Sequence, residues 1–185
     1  MVPVLLSRPG KIPDITASNP LDLYYMPYTH SLTASLLWSM AAVLVYRLFF
    51  RNQGWSNGLI VGMAVFSHWI LDFIVHRPDL PLYDNAHKVG LGLWNYPLPA
   101  LFAEAVFLFG GMAIYLKATQ VGRPLGRYGM LAFGGIMLAV QCLVFFGAPP
   151  PSDKAAAITA LISYFLFAAI AYGLERTRKP RADMS

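Results

Sequence analysis

Residues 58–82 read GLIVGMAVFSHWILDFIVHRPDLPL, an apolar run of membrane-crossing character whose far end carries His68, Asp72 and His76 at successive steps of four. At roughly 100° per residue, a step of four drifts only about 40°, so the three side chains share one helix face over about 12 Å. An ionised Asp at membrane depth costs on the order of 2.5 kcal/mol or more, so such groups are paired, metal-bound or face a wet cavity. The stripe therefore marks a candidate site on a membrane helix.

The composition agrees with the membrane reading. Of 185 residues, 57% are hydrophobic and 12% charged, with a mean hydropathy of +0.52, against roughly 25% charged in soluble domains. Five segments approach the ~20 mainly apolar residues that cross ~30 Å of hydrocarbon: 31–50, 58–75, 97–116, 128–146 and 155–173. Breakers separate them at 51–57, 76–96, 117–127 and 147–154, the last containing three consecutive prolines. The expected fold class is all-α, a polytopic membrane helical bundle of about five transmembrane helices. Residues 1–29 form an extramembrane or interfacial arm, 30–174 the membrane domain and 175–185 a basic cytoplasmic tail. MVPVLLSRPG lacks a basic n-region and a full h-region, so the arm is expected to be retained rather than cleaved as a signal.

The net charge of +5 does not point to nucleic acid, because the basic residues are spread over short loops and the tail. Their distribution sets an orientation instead. Arg8, Lys11, Arg77, Lys88 and Lys154 fall on one side of the spans; Arg47, Arg51, Lys117, Arg123, Arg127, Arg176, Arg178, Lys179 and Arg181 fall on the other. The richer side is expected to be cytoplasmic, placing the C-terminus inside. The single cysteine, Cys142, lies in an apolar run, so it offers neither an internal disulfide nor a thiolate zinc site and reads as a small buried hydrophobe.

The topology brings a second motif to the stripe. His30, in YMPYTHSL, stands at the outer mouth of the first span, and Asp72 and His76 at the outer end of the second. Antiparallel neighbours joined by a short loop place these groups at similar depth. His30, His68, Asp72 and His76 then form a nitrogen- and oxygen-rich set suited to a divalent metal such as zinc. Asp79 is a further candidate, although Pro78 puts it beyond the helix. The alternative is that His68 bonds a neighbouring helix while His76 and Asp79 are interfacial.

The segments YTHSL, SHWILDFIVHRPDLPL and VGLGLWN resemble those of the bacterial membrane-bound metal-dependent hydrolases, also described as LexA-binding, inner-membrane-associated hydrolases. The likeness covers most of the chain and is strongest over 27–95. In that family a Thr/Ser-His-Ser element and a Ser/Gly-His-x-x-x-Asp element are the signatures of the metal site, corresponding here to Thr29-His30-Ser31 and to Ser67-His68 with Asp72. The resemblance implies a bacterial inner-membrane location, a zinc or manganese cofactor and, through a relationship to zinc-dependent phospholipase C-like proteins, phosphoester hydrolysis. It also implies a further apolar N-terminal helix with a Gly-His element and a later Asp, which MVPVLLSRPGKIPDI does not carry. A weakened metal centre and an open lateral groove are expected from that departure.

Two classes of function follow. In the first, a metal held by His30, His68, Asp72 and His76 polarises a phosphoryl oxygen or acidifies water, while Arg77 or Lys88 attracts the anionic headgroup of a membrane lipid. In the second, the chain is a non-catalytic accessory subunit of a larger membrane complex, and the His and Asp residues bond between helices. A transporter fits less well, since there is no internal repeat and no pair of broken helices. Gly58, Gly62, Gly110, Gly111, Gly134 and Gly135 are expected to permit close helix approach. The GLG of VGLGLWN follows no βαβ pattern and is no dinucleotide fingerprint. Tyr24, Tyr25, Tyr28, Trp94 and Tyr96 are expected at headgroup level. Glu104, inside the third span, either supports the His/Asp cluster or bonds Gln141.

Overall fold

The computed structural model describes residues 17–18, 25–123 and 125–181. The chain is a multi-pass membrane protein, mostly helical, with five helices among the described residues long and apolar enough to cross a bilayer. A short helix α1 (Pro27–His30) precedes α2 (Leu32–Phe49) and α3 (Trp55–Val75); after Tyr96 come α4 (Pro97–Ala118), α5 (Leu125–Phe146) and α6 (Asp153–Glu175). Two small antiparallel pairings join them, β1 (Leu80–Tyr83) with β2 (Ala86–Val89) and β3 (Thr119–Val121) with β4 (Arg178–Pro180). The chain divides into two compact units, 1–96 and 97–185.

In the first unit α2 and α3 form a tight hairpin. Ser31 caps α2 from extended backbone, its Oγ accepting from the Ala34 N–H at 3.1 Å and donating to the Pro27 carbonyl at 2.6 Å. This cap meets one of the orphan donors at the start of a helix and fixes His30 immediately before the first span. The two helices pack through small residues as expected: a Cβ on Gly62 would lie 2.5 Å from Val43 Cγ2 and 3.1 Å from the Ser39 carbonyl.

The end of α3 is where the chain departs most from a plain loop. Pro78 disfavours a helical Arg77, and His76 already has extended backbone, φ −65° and ψ 143°. The segment after the β1–β2 hairpin folds back beneath the helix end: the Leu91 N–H donates to the Phe73 carbonyl at 2.9 Å and the Gly92 N–H to the His76 carbonyl at 2.6 Å. Both glycines of VGLGLWN are therefore structural. Gly90 has φ +152°, and a Cβ there would meet the carbonyl oxygens of Arg77 and His76. The hairpin itself turns through Asp84 and Asn85 in the register Tyr83↔Ala86, with Asp84 at φ 47° as tight two-residue hairpin turns require.

In the second unit α5 packs on both α4 and α6. Gly134 serves as a contact point, since a Cβ would stand 2.5 Å from Met112 Cε on α4. Gly110, Gly111 and Gly135 do not, because a Cβ on any of them meets nothing within 4 Å. The described part of the tail, 175–181, also carries regular pairing that its basic composition does not suggest. Within 175–185, Arg178–Pro180 pairs with Thr119–Val121, in the register Gln120↔Lys179. Arg178 reaches past the strand: Nε donates to Thr119 Oγ1 at 2.8 Å, Nη1 to the Gly126 carbonyl at 2.5 Å, and Nη2 to the carbonyls of Thr119 at 3.1 Å and Leu116 at 3.5 Å. The Arg181 N–H donates to the Ala118 carbonyl at 3.1 Å. Two of the last carbonyls of α4, those of Leu116 and Ala118, left open by the end of the helix, are thus taken by the C-terminal segment.

Most of the arm, including Arg8, Lys11 and Tyr24, lies outside the described residues. Ser18, within it, is buried and bonds the Trp94 carbonyl through both its N–H and its hydroxyl.

Candidate metal centre

His30, His68 and Asp72 come together from two elements, and their ligand atoms all lie within 4.8 Å of one another. His68 and Asp72 are one turn apart on α3, which brings Nε2 of His68 to 3.2 Å from Oδ2 of Asp72. His30 approaches from the end of α1, its Nε2 3.7 Å from the same oxygen. By helix rise, Asp72 sits about 5 Å and His68 about 10 Å along the axis from the end of α3, so the group lies below the end of the span rather than on it. The Asp72 side chain is 12% exposed and that of His68 60%.

The donor set suits a cation. Tetrahedral coordination with bonds of about 2.0–2.1 Å puts ligand atoms roughly 3.3 Å apart, close to both distances to Asp72. Oδ2 of Asp72 is buried with no hydrogen-bond partner, an expensive arrangement for a carboxylate unless a positive charge satisfies it. Nδ1 of His30 is 2.7 Å from Thr29 Oγ1. With the proton on Nδ1 donated to that hydroxyl, Nε2 keeps its lone pair and faces the carboxylate.

Burial, with the rings of His68 and His76 adding to it, lowers the pKa of His30 from 6.5 to about 4, because a low-dielectric site disfavours the charged ring. Between those two values the unfolded chain binds a proton that the folded chain does not, so stability falls as the pH drops through this window. The denaturation midpoint of the metal-free protein is expected to fall between pH 7 and pH 5. His30→Gln should show a smaller fall; equal falls in both proteins would show that the ring is not held uncharged.

His76 stands beside this group rather than within it. The helix ends before it, so the shared face expected from the spacing stops at Asp72, and the ring turns to a different partner. It is 2% exposed, with Nδ1 2.9 Å from Asp79 Oδ1, and it rests on Trp94 with ring centres 4.7 Å apart. Arg77, expected to attract substrate, has Nε 3.0 Å from the other Asp79 oxygen. Lys88 lies in β2 opposite Pro81. The His76–Asp79 pairing has a local signal in HRPD, where Pro78 turns the chain back on itself. Trp94 has none, since the glycine-dependent return of 89–92 brings it there. No protein-family model, curated protein or solved structure matches this chain.

Proposed function

We propose that this chain is a multi-pass protein of the bacterial inner membrane, with its C-terminus cytoplasmic, that holds a divalent zinc or manganese ion on His30, His68 and Asp72 and hydrolyses a phosphoester of a membrane lipid. The observation that carries this reading is the convergence of two imidazole nitrogens on a buried carboxylate oxygen that accepts no hydrogen bond. Two histidines, a carboxylate and one open position are a recurrent catalytic zinc set. The basic bias of the loops supports the orientation.

The chain's own residues divide the work by position. His30 and His68 would supply neutral nitrogen and Asp72 the charge that favours a cation, while Thr29 Oγ1, 2.7 Å from Nδ1 of His30, orients that ring and leaves Nε2 as the nitrogen toward Asp72. A divalent cation supplies Lewis-acid polarisation of a phosphoryl oxygen and acidifies water. The exposed flank of His68 leaves an approach to the group from one side.

Protein purified in detergent is expected to carry about one zinc or manganese ion per chain, as a single three-ligand site requires. His68→Ala and Asp72→Asn should lose the metal, together with cleavage of phosphatidic acid in mixed vesicles, while keeping their helical circular dichroism. Absence of metal from the wild type, or full occupancy in both variants, would sink the proposal and favour a non-catalytic subunit. A reporter fused after Ser185 reads the orientation: activity of a periplasmic reporter there would reverse it.

A further inference from the structure

The second cluster, His76 with Asp79, Arg77 and Trp94, has a geometry that the three-residue centre does not use. Two imidazoles bound through one nitrogen each to a tetrahedral ion have ring centres about 5 Å apart. The rings of His30 and His68 are 5.3 Å apart, at that spacing without any movement. The rings of His30 and His76 are 6.1 Å apart, about 1 Å beyond it.

The hydrogen bonding of His76 matches that of a metal-bound histidine. Such a ring characteristically donates its other N–H to a carboxylate, which fixes both tautomer and orientation. Here Nδ1 faces Asp79 Oδ1 at 2.9 Å, leaving Nε2 as the second nitrogen, and Trp94 limits rotation of the ring from one side. Asp79 is itself held by Arg77 Nε through its other oxygen at 3.0 Å. Each member of this series is fixed by the next, and the series ends on a histidine beside His30.

Resting on the metal reading above, we propose that His76 is a fourth protein ligand through Nε2, and that Asp79 and Arg77 are its positioning residues. Arg77 then acts on the metal centre through Asp79 and His76 instead of binding substrate. Three nitrogens and one oxygen leave a position open on a five-coordinate zinc and two on an octahedral manganese, so the fourth ligand does not close the site to chemistry.

The test uses the full chain in detergent, with histidine labelled in ¹⁵N and loaded with ¹¹³Cd. Of the four histidines, His30, His68 and His76 are expected to show one-bond cadmium coupling and His87 none. This measurement needs no substitution, so a folding defect cannot obscure it. In parallel, Asp79→Asn is expected to weaken cobalt(II) binding by about 10–100-fold and to change the visible ligand-field spectrum, with His76→Gln giving the same spectral change. Coupling to His30 and His68 alone would overturn the fourth ligand and leave the three-residue centre standing. Coupling to no histidine would overturn both. Wild-type affinity and spectrum in Asp79→Asn would remove Asp79 from its positioning role.

Discussion

Gly90→Val is expected to destabilise the first unit by ~4 kcal/mol, the sum of a backbone forced into a region that side chains avoid and of overpacking against fixed atoms. At φ +152° a Cβ would be 2.3 Å from the Arg77 carbonyl oxygen and 2.4 Å from that of His76, and neither oxygen belongs to a flexible side chain. Relief requires moving 89–92, which releases the N–H groups of Leu91 and Gly92 from Phe73 and His76 and uncovers the end of α3. The metal-ligating elements would loosen with it. Even Gly90→Ala should lose most of that stability, because the first carbon already clashes. Gly110→Ala, in the open interior of α4, should be neutral or slightly stabilising through helix propensity. The measurement is denaturant unfolding in detergent alongside trypsin cleavage at Lys88; a Gly90→Val protein as stable as the Gly110→Ala control would refute the account.

The second large effect is expected at Arg178. Its guanidinium donates to four acceptors on the end of α4, on β3 and on the start of α5. It stands where the partial negative charge of the α4 C-terminus favours a cation. Hydrogen bonds from charged donors are each worth about 1.5–3 kcal/mol when formed, and stranded carbonyls cost more than the bond gained. Since the site is only part-buried, Arg178→Ala should cost ~3 kcal/mol and free the tail to trypsin at Arg176 and Arg181. Arg178→Lys should recover only a fraction, because a single ammonium cannot reproduce the planar fork. Full rescue by lysine would mean that charge alone suffices; an unchanged alanine variant would mean that the tail is held by β3–β4 pairing without it.

The five helices were legible because each is a long apolar run between breakers, and hydrocarbon thickness sets their length. The expected 97–116 and 128–146 became Pro97–Ala118 and Leu125–Phe146, differences of the size at which helix ends fray. The meeting of His30 with Asp72 was legible too, since a short link between antiparallel spans leaves little freedom in depth. What escaped the sequence depends on pairing between distant residues. The β1–β2 hairpin is four residues a side with a proline, Pro81, in it, too short for a strand period to emerge. Arg178 looked like one positive charge among several, because nothing in RTRKPR records that its partners lie 52 to 62 residues earlier. His76 kept its proximity to the site but lost its helical phase, since Pro78 competes with the periodicity that the earlier residues obey.

The pairing of β4 with β3 bears on how the protein is made. Residues 178–181 are synthesised after the five described spans, yet they supply partners for the end of α4. Until then α4 occupies the membrane with the carbonyls of Leu116 and Ala118 waiting for donors. Completion of this unit is therefore tied to synthesis of residues 178–181, and a chain stopped before Arg178 inserts the five described helices without acquiring the clasp between β3 and β4.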